Sequence, residues 1–403
     1  MPELMHLVSM QRPAGVEWHF AELAARAAAR HPDWTQSWLD PGRFLHPFFR
    51  EPLQRSLART VHLKYGAGVK LPAKPVFIRR WHCRRALRDP RPAVLAIWNR
   101  STKVAVAIDA VGEERCIHWE HGHAWHAGRE RERRRYFARV PHAIANSKAS
   151  ARVLELRWDY AGTVSVCRNA VRPSLVPKEP RRREYPRDSA IRLGVAARLF
   201  PVKGVALALH ALRSLRAESV DAELHVAGGG PDLEPLRTLA SKLGVGAHVH
   251  FRGDVRDMRS FYADIHCLVH PPLTEAFGLV AIEAAAQGVP VVATAVDGLP
   301  EAVAEGVTGY CVRPELSLAS YVELGARLEH VPEQVYDPVA DALCETKAVD
   351  PGALATAVMK ILSSAEAYES LSRSASEHVL REYRFDAHVD EVMSVVRAFH
   401  ARQ

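Results

Sequence analysis

The sequence predicts an α/β protein of two domains, each a parallel sheet covered by helices. Three observations carry this reading. The chain has 403 residues, which suits two domains of about 200 residues each. From residue 191 onward, short apolar runs alternate with helical patterns, the signature of βαβ units. The runs are nearly continuous rather than alternating, as expected when helices cover both faces of a sheet.

Strands are predicted in the second half at 192–196, 222–227, 249–251, 265–270, 289–293 and 309–312. Helices are predicted between them, at 204–216, 232–243 and 277–287. The first half repeats the theme less cleanly, with a strand at 5–9, an amphipathic helix at 16–30, and strands at 93–98, 115–119 and 143–145. Residues 171–189 are rich in Pro and Arg and carry no periodicity, which reads as a linker. The expected division is 1–170, a linker at 171–190, a second domain at 191–385, and a helix at 386–403 that packs back on the first domain. The segment 331–350 fits no element and reads as a surface insertion.

Composition is that of a globular protein, 48% hydrophobic and 25% charged. No apolar run reaches the ~18 residues needed to span a bilayer. The opening MPELMHLVSM has no basic segment ahead of a long apolar stretch, so no secretory signal is expected. Cysteines 83, 116, 167, 267, 311 and 344 form no CxxC pair. Reduced thiols and a cytoplasmic setting follow as the expectation.

The formal net charge is +8. Much of the excess lies at 129–135 (RERERRR) and 181–183. Such clusters favour an anionic partner: a phosphorylated substrate, a membrane surface or nucleic acid. No aromatic-interleaved basic motif or zinc-finger spacing supports nucleic acid. The run at 129–135 has two readings of equal weight, a contact with an anionic membrane face and a solvated helix face.

The chemistry concentrates in 270–288, HPPLTEAFGLVAIEAAAQG. A strand ends at His270, a Pro-containing loop follows, and a helix begins near Phe277. The chain thereby brings a helix N-terminus to the carboxyl end of a parallel strand, where open α/β sheets bind ligands. The amides of Phe277, Gly278 and Leu279 are placed to accept an anion such as a diphosphate. Glu275 stands just before the helix and Glu283 eight residues later. A carboxylate accepts hydrogen bonds from hydroxyls, and its two oxygens suit a vicinal diol. Capping by Glu275 and solvation of Glu283 are the plain alternatives, but Glu283 heads an Ala-rich apolar face, an unusual place for a carboxylate without a partner. Arg198 and Lys203 lie in the loop after the first strand of the second domain, where fixed cations would neutralise a departing diphosphate.

Taken together, these segments resemble the retaining GT-B glycosyltransferases, glycosyltransferase family 4 in particular. EAFGLVAIE is similar to that family's two-glutamate motif. GVAARLFPVKG, HVAGGGP and GVPVVATAVDGLPEAVAEGVTGYCV resemble its neighbouring segments, as do IANSKASARVLELRW and CRNAVRP. The resemblance implies two Rossmann-like domains facing across a cleft, with the donor on the second and the acceptor on the first. It implies that Glu275 contacts the donor sugar, Glu283 the ribose, and Arg198 and Lys203 the diphosphate. It places Gly15 in a loop facing the donor and one first-domain histidine near the reacting sugar; His121 fits best and His123 second.

The expected reaction is transfer from a nucleotide-diphosphate sugar, foremost a UDP-hexose, with retention. The expected acceptor is a saccharide or a lipid-linked sugar at the cytoplasmic face of a bacterial inner membrane, in surface polysaccharide or lipopolysaccharide synthesis. No DxD triplet occurs, so no cofactor or divalent metal is expected. The group His118, Glu120, His121, His123 and His126 is dense enough for a metal. A strand through Trp119 would splay these side chains, so zinc is not expected there. The rivals are a sugar phosphorylase or epimerase on the same architecture, and a non-catalytic basic protein that binds anions.

Overall fold

A computed structural model describes residues 1–403 apart from Pro13, Arg43, Ala67 and Asp188. The chain divides into two compact units, Met1–Arg168 with Phe385–Gln403, and Asn169–Arg384. The first unit holds a seven-stranded sheet. Its spatial order is Arg59–His62, Thr35–Asp40, Glu3–Leu7, Val94–Trp98, Cys116–Glu120, His142–Ala145 and Thr163–Val166, with every pair parallel. The second holds six parallel strands in the order Val249–Gly253, Ala222–Ala227, Ile191–Ala196, Cys267–His270, Val291–Thr294 and Gly309–Val312.

Each order reverses once. In the first sheet the reversal falls between Glu3–Leu7 and Val94–Trp98, in the second between Ile191–Ala196 and Cys267–His270. A crevice opens beyond the strand ends at such a switch point, because the two following connections run to opposite faces. The strands of the second sheet are apolar on both sides. Leu193, Val195, Leu224 and Val226 pack on one face, and Ala196, Ala227 and Leu268 on the other. Helix Leu279–Ala286 (LVAIEAAA) is buried almost all round, as its lack of a polar face requires.

Three sequence expectations change here. Residues 171–190 are part of the second unit rather than a bridge between domains. Their backbone is held by the helix Ala365–Glu382, with Arg181 N donating to Ser376 Oγ (2.9 Å) and Arg183 N to Ser372 Oγ (2.8 Å). Extended chain bonded to side chains has no periodicity to read. The segment 331–350 is not a shapeless insertion: Gln334–Asp337 pairs antiparallel with Ala342–Glu345, and Ala348–Val349 with Pro314–Leu316. In the first half, strand Thr35–Asp40 (TQSWLD) escaped notice because it is polar. It lies inside the sheet, and its buried Gln36 bonds His6 Nε2 at 3.0 Å. The terminal helix Phe385–His400 packs in the first unit, where His388 Nε2 and His19 Nε2 lie 2.8 Å apart.

Candidate functional site

Two loops leave the switch point of the second sheet, and the chain ties them together. Leu273 N donates to Val202 O at 2.9 Å. Gly204 adopts φ 66°, and a Cβ there would lie 1.9 Å from Pro271 O, so only glycine allows this approach. Across the joined loops, Lys203 Nζ donates to Glu275 Oε2 at 2.7 Å. Both side chains are about one-fifth exposed. His270 Nε2 lies 3.6 Å from the same oxygen. Burial would raise the Glu275 carboxyl, but the Lys203 charge and His270 override it and hold the group well below the ordinary carboxylate range. Burial depresses His270, so its imidazole is neutral at pH 7, and neither ring nitrogen has a hydrogen-bond partner among the described residues.

The helix Leu279–Ala286 starts two residues beyond Phe277 on a left-handed Gly278 (φ 100°). A Cβ at Gly278 would strike Leu299 Cδ2 at 2.5 Å. The amides of Phe277, Gly278 and Leu279 donate to no group among the described residues. Such an end carries partial positive charge. Arg198 is exposed, its guanidinium stands 5.5 Å from the Phe200 ring centroid, and it meets no acid among the described residues. The Gly228–Gly230 stretch makes the turn from strand Ala222–Ala227 toward helix Leu233–Lys242, with Leu199 N donating to Gly229 O at 2.9 Å.

The two glutamates have different surroundings. Glu283 is only 3% exposed. Arg172 grips both of its oxygens, Nε to Oε1 at 2.6 Å and Nη2 to Oε2 at 3.0 Å, and the Tyr262 hydroxyl donates to Oε2 at 3.0 Å. The plain alternative of a solvated Glu283 does not hold: the carboxylate on the Ala-rich helix is buried and matched by a forked arginine. A carboxylate has about four acceptor positions, and three are occupied here. Arg172 and Tyr262 had no role in the sequence reading, since pairs separated by 111 and 21 residues leave no local signal.

Asp297 was missed in the same way. It is fully buried. Its Oδ2 accepts Thr274 Oγ1 (2.6 Å) and Glu275 N (3.0 Å), while Oδ1 accepts Tyr336 N (2.7 Å). Gly298 N returns a bond to Glu275 O at 3.1 Å. Asp297 thus fixes the loop that presents Glu275 and ties it to the hairpin once read as an insertion. The only trace in sequence is an Asp-Gly pair, which signals a turn and nothing about its neighbour.

In the first unit Gly15 opens the helix Gly15–Arg30 after the first strand. His121 lies beyond strand Cys116–Glu120. Its ring stacks on Trp98 (5.2 Å, 7°) and Trp119 (5.7 Å, 24°). Burial drives its pKa down to about 3, and Nε2 has no partner among the described residues. The neighbouring histidines have separate tasks. His118 Nε2 donates to Glu120 Oε2 at 2.9 Å and Nδ1 accepts the Tyr136 hydroxyl at 2.9 Å. Glu120 also accepts Gly122 N (2.6 Å) and Ala124 N (3.0 Å), and these bonds outweigh burial to hold it at about 2.

Among the described residues, Glu223, His225 and His250 alone bring three metal-ligand atoms within 4.8 Å of one another. Arg252 Nη2 donates to His225 Nδ1 at 2.8 Å. That leaves the proton on Nε2, facing Glu223 Oε2 at 3.3 Å, so His225 and Glu223 are engaged in hydrogen bonding.

Comparison with known proteins agrees with this geometry. The family model described as "Glycosyl transferases group 1" matches residues 178–335. A GDP-mannose-dependent alpha-(1-6)-phosphatidylinositol monomannoside mannosyltransferase of Mycolicibacterium smegmatis is 39% identical over 125 residues, 29% of this chain and 33% of that protein. A D-inositol 3-phosphate glycosyltransferase of Corynebacterium efficiens is 42% identical over 124 residues, 28% of this chain and 29% of that protein. The matched region thus spans about a third of the length of these curated relatives. Among solved structures, Anabaena Alr3699/HepE in complex with UDP and glucose superposes with TM-score 0.72 at 16% identity, covering 99% of this chain and 100% of that one. WaaG, a glycosyltransferase involved in lipopolysaccharide biosynthesis, gives 0.64 at 14% identity, covering 98% and 99%. The fold is therefore GT-B. Residues 178–335 are similar to the group 1 glycosyl transferases.

Proposed function

We propose that the second unit binds a nucleotide-diphosphate sugar and that the protein transfers its glycosyl group to an acceptor held by the first unit. The observation that carries this is the Lys203–Glu275 pair, set at the switch point beside a helix end whose first amides donate nowhere among the described residues. An anionic diphosphate would take those amides and Arg198, and Lys203 would offset the charge that develops on the leaving group. Glu275 remains ionised and accepts hydroxyls of the donor sugar. The free acceptor position on Glu283 takes one ribose hydroxyl, with Arg172 and Tyr262 orienting the carboxylate. His121 stays neutral near pH 7 and offers Nε2 to the reacting sugar.

The donor is a nucleotide-linked hexose. A UDP-hexose is the first candidate, and GDP-mannose, the donor in the name of the mycobacterial relative, is the second. Transfer proceeds with retention and without a divalent metal, since side-chain cations and a helix end supply the positive charge. The setting is surface polysaccharide or lipopolysaccharide synthesis at the cytoplasmic face of the membrane. No helix among the described residues is long and apolar enough to cross a bilayer, so a membrane contact would be peripheral.

A screen of UDP-glucose, UDP-galactose, GDP-mannose and their nucleoside diphosphates by thermal shift tests the donor site. One or more should raise the melting transition, because a ligand of the native state stabilises by mass action. If a well-folded preparation responds to none, the donor assignment fails. Activity that disappears with chelator and returns with manganese or magnesium would overturn the metal-free transfer, and an inverted anomer in the product would overturn retention.

A further inference from the structure

The switch point of the first sheet holds a cavity of about 450 Å³ that the donor site does not use. Its lining includes four cations, Lys64, Arg100, Lys103 and Arg129, with Ser9 and Gln11 beside them. Ser9 and Gln11 follow the strand Glu3–Leu7, while Arg100 and Lys103 follow Val94–Trp98. These are the two strands between which the order reverses.

Three of the four cations have no ion-pair partner among the described residues. Among the described residues, Lys64, Arg100 and Lys103 form no side-chain ion pair, and Arg129 has one exposed contact, Glu132 at 3.4 Å. Glu132 is also engaged by the Lys103 amide at 3.0 Å. Asp40, the buried acid whose charge acts on Lys64 and Arg100, is occupied: His62 Nδ1 donates to Oδ2 at 2.7 Å and Gly42 N to Oδ1 at 2.7 Å. Lys64 and Arg100 are half-buried. Burial, followed by the charges of Arg100, Arg79 and Lys103, pulls the Lys64 ammonium below its ordinary pKa. Half-buried like charges are costly unless something anionic joins them.

The loop that carries them is held rather than loose. Asn99 and Lys103 both sit in the left-handed region, φ 46° and 59°, which costs a non-glycine residue of order 1 kcal/mol. Asn99 Oδ1 accepts the amides of His121 (3.1 Å) and His123 (2.9 Å), and Ser101 Oγ lies 2.8 Å from His123 Nε2. Strain maintained by a network around a charged cavity marks a binding loop.

We infer that this cavity receives a phosphate monoester, so that the acceptor of the proposed transfer is a phosphorylated polyol or sugar. The inference rests on the glycosyl-transfer reading for the word acceptor, and on the cavity alone for the phosphate. A dianion of three acceptor oxygens matches several convergent cations. The volume suits one sugar-sized group, and Ser9 and Gln11 supply hydrogen bonds to its hydroxyls.

All 8 tryptophans of the chain lie within residues 1–168, so their fluorescence reports melting of the first unit. The test measures that transition with glucose, glucose 6-phosphate and inorganic phosphate, and separately with vesicles of phosphatidylcholine alone or containing phosphatidylinositol phosphate. Glucose 6-phosphate should raise the transition and glucose should not. Arg100→Met and Lys64→Met should weaken the response at least tenfold, while Arg198→Gln, at the donor site, should retain it. Arg129→Gln, at an exposed helix flank, gives a second reading if the half-buried variants fold poorly. Competition by phosphoinositide vesicles against glucose 6-phosphate would assign the phosphate to a lipid headgroup, and its absence to a soluble acceptor; either is consistent with the inference. Equal response to glucose and glucose 6-phosphate, no response to any phosphate, or an undiminished response in folded Arg100→Met and Arg129→Gln would overturn it. Loss of nucleotide binding with the phosphate response intact would instead count against the donor reading alone.

Discussion

The two switch points share a topology and differ in their charge design. In the second unit the main cation is already matched: Lys203 meets Glu275 at 2.7 Å, and buried Asp297 fixes the backbone that carries the glutamate. In the first unit Lys64, Arg100 and Lys103 surround a cavity with no acid paired to them among the described residues. The same unit holds a cluster of rings, in which His19, His121, Trp98, Trp119 and His388 pack at centroid distances of 4.1–6.5 Å. A parallel sheet thus supplies the location of a site, and loop residues decide whether its charge is balanced before a ligand arrives. The basic character of the chain follows the same division. Of the five arginines at 129–135, Arg133 is buried over Trp158 and donates to His123 O, Arg134 pairs with Asp159, and Arg129 meets Glu132. Only Arg131 and Arg135 are exposed without a partner among the described residues.

The comparison breaks most readily at Glu283. Arg172→Met would leave its carboxylate buried without a cation, costing roughly 3–5 kcal/mol. Calorimetry should show the second unit melting earlier while the tryptophan transition of the first unit holds. If both transitions move together, the units are not independent in stability.

Next in size is Glu275→Gln, which keeps the shape and removes the charge that Lys203 meets and that the proposed donor sugar would meet. Turnover of the true donor should fall by about 100- to 1000-fold, the scale for losing one oriented polar group at a reacting centre. Near-normal turnover would remove Glu275 from the chemistry.

Acid should separate the units. Burial lowers His6 and His388 to about 4 and His121 to about 3. His19 is lowered well below its ordinary value, by burial and by the charge of His388. His19 and His388 share one proton across 2.8 Å, so both cannot be cationic. An unfolded histidine titrates near 6.5, so protons favour the unfolded first unit below that pH. The stability these groups supply is complete above about 6.5 and is lost as pH falls toward 4, at up to about 3 kcal/mol for a histidine shifted to 4. Glu275 titrates in a lower window, below the ordinary carboxylate pKa. The second unit holds fewer such groups, among them His266 lowered by burial to about 4 and His270 lowered by burial, so tryptophan fluorescence during acid titration should report loss of the first unit before far-UV dichroism reports loss of the second. A fluorescence signal unchanged to pH 4 would mean that the ring cluster accepts protons in place.

The smallest effect concerns the membrane. With two free arginines rather than five, attraction to anionic vesicles amounts to about 1 kcal/mol for each and should vanish at high salt. Arg131→Gln with Arg135→Gln should lower co-sedimentation on anionic vesicles at low salt. Unchanged recovery would leave these side chains as ordinary surface.

Much of the second unit was legible before any coordinates. Strand Ala222–Ala227 and strand Gly309–Val312 match the expected ranges, and the helix after His270 begins within two residues of its expected start. Strands covered on both faces must be apolar, and that leaves a local trace. In the first unit, strands Thr35–Asp40, Arg59–His62 and Thr163–Val166 carry polar residues and leave none. The site divides the same way. Glu275, Lys203, Arg198 and the Gly278 helix end were nameable from residue type and spacing, because chain order alone brings a loop to a strand end.

By itself, then, the sequence determined two parallel α/β sheets and which loops stand at the strand ends of the second, since periodicity and punctuation are local properties. Tertiary structure alone decided that Glu283 is gripped by Arg172, that Asp297 holds the Glu275 loop, and that Arg133 is a structural residue. It also gathered Lys64, Arg100, Lys103 and Arg129 around one cavity. Such pairings join residues far apart in the chain, and electrostatics depends on distance in space, which no spacing along the sequence encodes.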